Sequence, residues 1–190
     1  KEAVRAFLER VPERVLVVLD EAYCEYIEDD SYPDGIALLK DFPNLIVTRT
    51  FSKAWGLAAL RVGYAICCAD ITDVLNRVRQ PFNVNSIALA AAAAVLDDSE
   101  YIEAGRALNS SGLIQVSAGL ESLGLSYIPS SGNFITFDTG RVGVDVYESL
   151  LQEGVIVRPV GNYGMPAHLR VSIGTESENA RFLNSLKKVI

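Results

Sequence analysis

The chain of 190 residues carries 24 acidic against 17 basic residues, a formal net charge of -7, and 49% hydrophobic residues. That balance suits a folded body with a substantial core and lacks the basic stripe of a nucleic-acid surface, and no stretch approaches the roughly 20 uninterrupted apolar residues of a membrane span. One histidine, His168, and three cysteines, Cys24, Cys67 and Cys68, give neither metal-ligand spacing nor a disulfide framework, so no metal is expected and a reducing cytoplasm is the expected setting.

The first residues, KEAVRAFLERVPERV, have the periodicity of an amphipathic helix over 1–10, not the apolar core of a secretory signal. After Pro12, RVLVVLD is an apolar run of strand length, and its β-branched character predicts a parallel strand buried on both faces. FPNLIVTRTF predicts a second such strand and RVGYAICCA a third. Helices are expected over 71–79 and 84–97, the second alanine-rich and packed, and a longer one over 99–123 ends at Gly124. This alternation predicts an α/β fold with a mostly parallel sheet.

Beyond Gly124 the texture changes. LSYIPSSGNFITFDTG, a helix over 143–153, GVIVRPV, AHLRVSIG and a last helix over 175–190 predict a smaller α+β unit. The expected division is 1–108 and 109–190. Three strands are too few for a free-standing sheet of this class, so the remaining strands are expected to come from outside this chain.

In open α/β sheets, ligands bind outside the carboxyl ends of the strands. VVLDEAY ends a strand with Asp20, followed by Tyr23, and VTRTFSKAWG ends the next with Thr50, Ser52 and Lys53. Gly56 then permits close backbone approach, and Arg61 follows. A lysine in apolar surroundings loses hydration, which favours the neutral, nucleophilic amine. An amine to form an imine, an acid for a pyridinium nitrogen, a tyrosine hydroxyl for a ring oxygen, and hydroxyls with an arginine for a dianionic phosphate are the set that pyridoxal phosphate chemistry needs.

Each residue alone also has a plainer reading. Lys53 could be a solvated loop residue, Asp20 a helix N-cap and Thr50 a β-former. Arg61, Arg158 and Arg170 could be members of structural ion pairs, and His168 a surface residue. Their co-occurrence in one order and spacing favours the chemical reading of the first six.

LDEAYCEY followed by TFSKAWGLAALRVGYA resembles the fold-type I, aspartate-aminotransferase-like pyridoxal-phosphate enzymes. With GVIVRPVGNYGMPAHLRVSIGTESEN, the likeness is closer to the histidinol-phosphate aminotransferase family, and it extends over essentially the whole chain. The resemblance implies that Lys53 carries the imine link to pyridoxal 5'-phosphate and moves the proton during transfer. By the same resemblance Asp20 faces the ring nitrogen and Tyr23 the ring 3-oxygen, while Thr50, Ser52 and Arg61 face the cofactor phosphate. Arg170 would grip the α-carboxylate of glutamate or 2-oxoglutarate, and Arg158 with Arg170 the phosphate of a phosphorylated amino alcohol.

The implied reaction converts L-histidinol phosphate and 2-oxoglutarate to imidazole acetol phosphate and L-glutamate in histidine biosynthesis, by a cytoplasmic homodimer at full length. A threonine-phosphate decarboxylase, another amino-acid aminotransferase, and the cofactor-sensing domain of a transcription regulator are the alternatives. Ala59, where a glycine is common, and Cys24 after the tyrosine depart from the family pattern without blocking these roles. The family's glycine-rich phosphate turn and ring-stacking aromatic have no counterpart here, so the 190 residues alone are expected to be inactive.

Overall fold

The computed structural model describes residues 1–190, which divide into two compact units, Lys1–Glu103 and Ala104–Ile190. In the first, helix α1 (Glu2–Arg10) turns Leu8 inward, with Glu2 in its first turn and Arg10 in its last, the charge order its dipole favours. Strand β1 (Val17–Asp20) follows. A short helix α2 (Gly35–Leu38) is capped by Asp34, whose carboxylate accepts the amide N–H groups of Ile36 and Ala37. Strands β2 (Leu45–Thr50) and β3 (Gly63–Ile66) complete a sheet of order β1-β2-β3.

β1 and β2 run parallel with Asp20 beside Thr48, whereas β2 and β3 run antiparallel with Thr50 beside Gly63. The sheet is thus mixed, where a mostly parallel one was expected. A parallel pair needs a crossover, which α2 and its flanking loops supply; residues 51–62 turn straight back through the 3-10 turn Ala58–Leu60. Burial on both faces is also narrower than expected. Leu45, Ile46 and Val47 of the central strand are buried, but Val18 on the edge strand β1 is 59% exposed and most of β3 lies open. A three-stranded sheet has two edges and can fully enclose only its middle strand.

One face of that strand is covered by α1 and α2, through a cluster of Leu8, Leu38, Leu45 and Val47. Helix α3 (Ala69–Val78) buries no residue, and the half-buried Cys67 and Cys68 lie just before it. Helix α4 (Ser86–Val95) is started by Asn85, whose side chain accepts the N–H of Ala88. It packs along one line only, Ala88 and Ala92, leaving Ile87 and Leu89 exposed.

Helix α5 (Ser99–Ser122) crosses the division between the units. The second unit continues with β4 (Tyr127–Ile128), β5 (Phe134–Asp138), α6 (Gly143–Gln152), β6 (Arg158–Pro159), β7 (His168–Ser172) and α7 (Glu176–Val189). Its four strands pair antiparallel in the order β4-β5-β7-β6. Eleven buried side chains, among them Val116, Leu120, Phe137, Leu150, Leu169, Phe182 and Leu186, form one continuous core. Thr175 and Glu178 close a capping box at the start of α7. His168 is not a surface residue: it is half-buried in β7 opposite Asp138, and its Nδ1 has no hydrogen-bond partner. No helix is long and apolar enough to cross a membrane.

Candidate active site

Lys53 sits in the loop that leaves β2. The loop is rooted by Phe51, which is buried with Val62, Ala88 and Ala92, while Trp55, Leu57 and Leu60 pack against that cluster. The alanine line of α4 has a physical purpose here, since small side chains let the loop come close. The main chain closes on itself through Leu57 N–H to the Phe51 carbonyl, 2.8 Å, and Gly56 N–H to the Lys53 carbonyl, 3.0 Å. Gly56 has φ +71°, and a Cβ there would lie 2.5 Å from the Tyr101 hydroxyl, so two constraints demand glycine. Lys53 is left half-buried, its Nζ 5.3 Å from the centre of the Tyr23 ring.

Tyr23 lies three residues beyond Asp20, the last residue of β1. Trp55 Nε1 donates to Glu25 Oε1 at 3.0 Å, tying the Lys53 loop to the segment that carries Tyr23. Asp20 is exposed and accepts a hydrogen bond from Thr48 Oγ1 at 3.3 Å. Sequence reasoning passed over Thr48. Its spacing of two from Thr50 puts both on one face of β2, but its pairing with Asp20 depends on the β1–β2 register.

Ser52 and Arg61 converge: an Arg61 Nη1 N–H reaches Ser52 Oγ at 3.4 Å and the Ala58 carbonyl at 2.7 Å. Arg61 holds φ +54°, a left-handed conformation that costs a non-glycine residue about 1–2 kcal/mol. Such strain gathers at functional sites. Thr50 Oγ1 accepts the Ser52 amide N–H at 3.1 Å, so Thr50 shapes the turn that presents Ser52. Gly63 opposite Thr50 admits a close strand approach, since a Cβ there would lie 2.8 Å from the Arg49 carbonyl oxygen.

In the second unit Arg158 and Arg170 are direct cross-strand partners. Arg170 stacks on Phe134 at 4.6 Å, and Arg158 lies 5.9 Å from the ring centre of Tyr163 while donating to its hydroxyl at 3.3 Å. A guanidinium on a ring face keeps its remaining N–H donors in its own plane, free to bond elsewhere. Neither arginine is in an ion pair. A cavity of about 520 Å³ in the first unit, lined by Cys24, Arg49, Trp55 and Tyr64 among others, touches none of the candidate residues. The side-chain geometry at the strand ends carries more weight than that hollow, because ligands of open α/β sheets lie at carboxyl ends.

Lys53 stands over the Tyr23 ring, Asp20 pairs with Thr48 and Arg61 reaches Ser52, and a family model described as aminotransferase class I and II matches residues 1–186. The chain belongs to the class I and II aminotransferases. This aminotransferase chain is 62% identical to histidinol-phosphate aminotransferase 2 of Pseudomonas fluorescens (strain Pf0-1), over 100% of its own length and 51% of the relative's. It is 61% identical to the protein of the same name from Pseudomonas aeruginosa, with the same shares covered. Among solved structures, the histidinol-phosphate aminotransferase of Sinorhizobium meliloti in complex with pyridoxal-5'-phosphate matches with TM-score 0.90 and 32% identity, over 99% of this chain and 52% of that one. The aminotransferase chain thus spans about half the length of the curated relatives it matches.

Proposed function

We propose that this chain forms part of a transaminase dependent on pyridoxal 5'-phosphate. Its substrates are L-histidinol phosphate and 2-oxoglutarate, and its products imidazole acetol phosphate and L-glutamate, in histidine biosynthesis. The working form is a cytoplasmic homodimer of the full-length protein, with residues 1–108 carrying the cofactor groups and 109–190 the substrate arginines. The observation that carries the reading is the Lys53 amine above the Tyr23 ring, on the loop after β2, whose parallel neighbour β1 ends in Asp20.

The residues fit the cofactor by their chemistry. A half-buried amine, an exposed carboxylate and a hydroxyl–guanidinium pair stand at the ends of adjoining strands. When bound, the cofactor supplies the electron sink that stabilises negative charge on the substrate carbon. Lys53 Nζ would hold it covalently and then take and return the proton at that carbon. Asp20 would keep the ring nitrogen protonated, and the Tyr23 hydroxyl would donate to the ring oxygen. Ser52 and Arg61, shaped by Thr50, would bind the phosphate through charge-assisted hydrogen bonds. Arg170 would take the α-carboxylate of either substrate pair, and Arg158 with Arg170 the substrate phosphate.

Borohydride reduction of the full-length protein with pyridoxal phosphate, followed by peptide mapping, should place the label on Lys53. A label on Lys40 or elsewhere overturns the assignment. Lys53→Ala should abolish the absorbance of the imine link, and the 190 residues alone should show neither that absorbance nor turnover.

A further inference from the structure

Glu21, next to Asp20, is 1% exposed and has no part in the reaction proposed above. Arg49 donates to its Oε2 through Nε at 3.0 Å and Nη2 at 2.8 Å, and the Gly35 amide N–H donates to Oε1 at 2.9 Å. The Glu21 amide N–H in turn donates to the Thr48 carbonyl, 2.9 Å. Alternation along the strands puts Asp20 and Thr48 on one face of the sheet and Glu21 and Arg49 on the other. Burial works against the Arg49 charge, but the hydrogen bond with Glu21, helped by Cys24, a hydrogen bond with Tyr64 and the Glu21 charge, offsets it and raises its pKa.

Such a pair contributes little net stability, because desolvation consumes most of its attraction, but removing one partner is costly, because the other charge is left buried and unpaired. Asp20 needs a constraint. Its carboxylate is exposed and holds one long hydrogen bond, so its position is set by its backbone, and that backbone is held one residue later by Glu21.

We infer that Glu21 and Arg49 are a positioning pair that holds the Asp20 tip of β1 in register with the Lys53 end of β2. The inference rests on the pyridoxal phosphate reading. Loss of the pair would let Asp20 drift from the ring nitrogen. The ring then withdraws fewer electrons, and the imine nitrogen holds its proton to higher pH. Loss of Glu21's negative charge acting only at a distance would have the opposite sign, lowering that midpoint. Burial pushes the neighbouring Cys24 thiol and Tyr32 phenol up to about 12, so neither ionises in the range where the cofactor absorbance is read.

The test uses the full-length protein with pyridoxal phosphate and records the pH midpoint of the cofactor's visible absorbance, kcat and KM. Glu21→Gln keeps the shape and removes the charge, whereas Arg49→Lys keeps the charge and removes the two-pronged bond. Both should raise the midpoint by about half a unit or more. Both should lower kcat about tenfold with KM changed less than about twofold. Should Glu21→Gln fail to fold, Arg49→Lys alone decides. A midpoint lowered in Glu21→Gln and unmoved in Arg49→Lys overturns the inference, as does a fall in thermal midpoint with absorbance and kcat unchanged. If the unaltered protein carries no cofactor on Lys53, the functional reading falls and the inference with it; if it does carry it and the variants match it, only the inference falls.

Discussion

The two units hold themselves together differently. The second closes eleven side chains, from three helices, the sheet and Val157 just before β6, into a single core, whereas the first has two separate clusters of four buried residues. Both units leave large apolar side chains more than half exposed, Val18, Val78, Phe82 and Ile87 in the first and Ile114, Val142 and Ile156 in the second. The cofactor candidates belong to the first, thinner unit. They are placed by a few specific tethers, the Trp55–Glu25 hydrogen bond, the Glu21–Arg49 pair and the Arg61–Ser52 contact, and only the root of the Lys53 loop is packed. The two arginines of the second unit instead stand on strands rooted in a deep core.

The contrast can be broken at its strong end. Phe137 is fully buried at the centre of the second unit, in edge contact with Phe182. Phe137→Ala should cost about 3–5 kcal/mol in denaturant unfolding; a cost below about 1 kcal/mol would show that this core is not continuous. Asp20→Ala tests the chemistry placed on the thinner unit. It should raise the barrier by about 3–4 kcal/mol while the full-length protein still binds cofactor through Ser52 and Arg61. A near-normal rate would leave Asp20 with a structural role alone.

Arg170→Lys should raise KM for both substrate pairs about tenfold, since lysine cannot reproduce the two-pronged grip, and Arg158→Lys should spare the glutamate half-reaction. Equal, small effects would return both arginines to structural duty. The capping box of α7 offers a finer probe. Thr175→Ala should cost about 1 kcal/mol in thermal unfolding. The Glu178 carboxyl is held below its ordinary range first by the Thr175 amide N–H and then by its hydroxyl. A depressed carboxyl contributes stability above its unfolded pKa and loses it as pH falls through the lower folded value. The gap in thermal midpoint between wild type and Glu178→Gln should therefore be full at neutral pH and narrow on acidification below the ordinary glutamate range; a constant gap would remove the linkage. The smallest effect belongs to the open edge strand, where Val18→Thr should stay within about 0.5 kcal/mol by denaturant unfolding.

The sequence by itself determined the order and type of the longer elements, though not the short helix α2, because the 3.6- and 2-residue periods and the glycine stop at Gly124 are local signals. It also marked Asp20 and Lys53 as residues at strand ends, because an acid and an amine are conspicuous after apolar runs. Tertiary structure alone decided the rest. β3 runs antiparallel because 51–62 folds straight back through the 3-10 turn Ala58–Leu60 instead of crossing over. Thr48 meets Asp20 only through the β1–β2 register, and Glu21 is a buried partner of Arg49 although its neighbour is exposed. His168 is drawn half inside by its place in β7, and the two arginines lie against Phe134 and Tyr163. Each of these depends on which distant residue is brought alongside, and that is settled by the free energy of the packed chain as a whole, which no local pattern encodes.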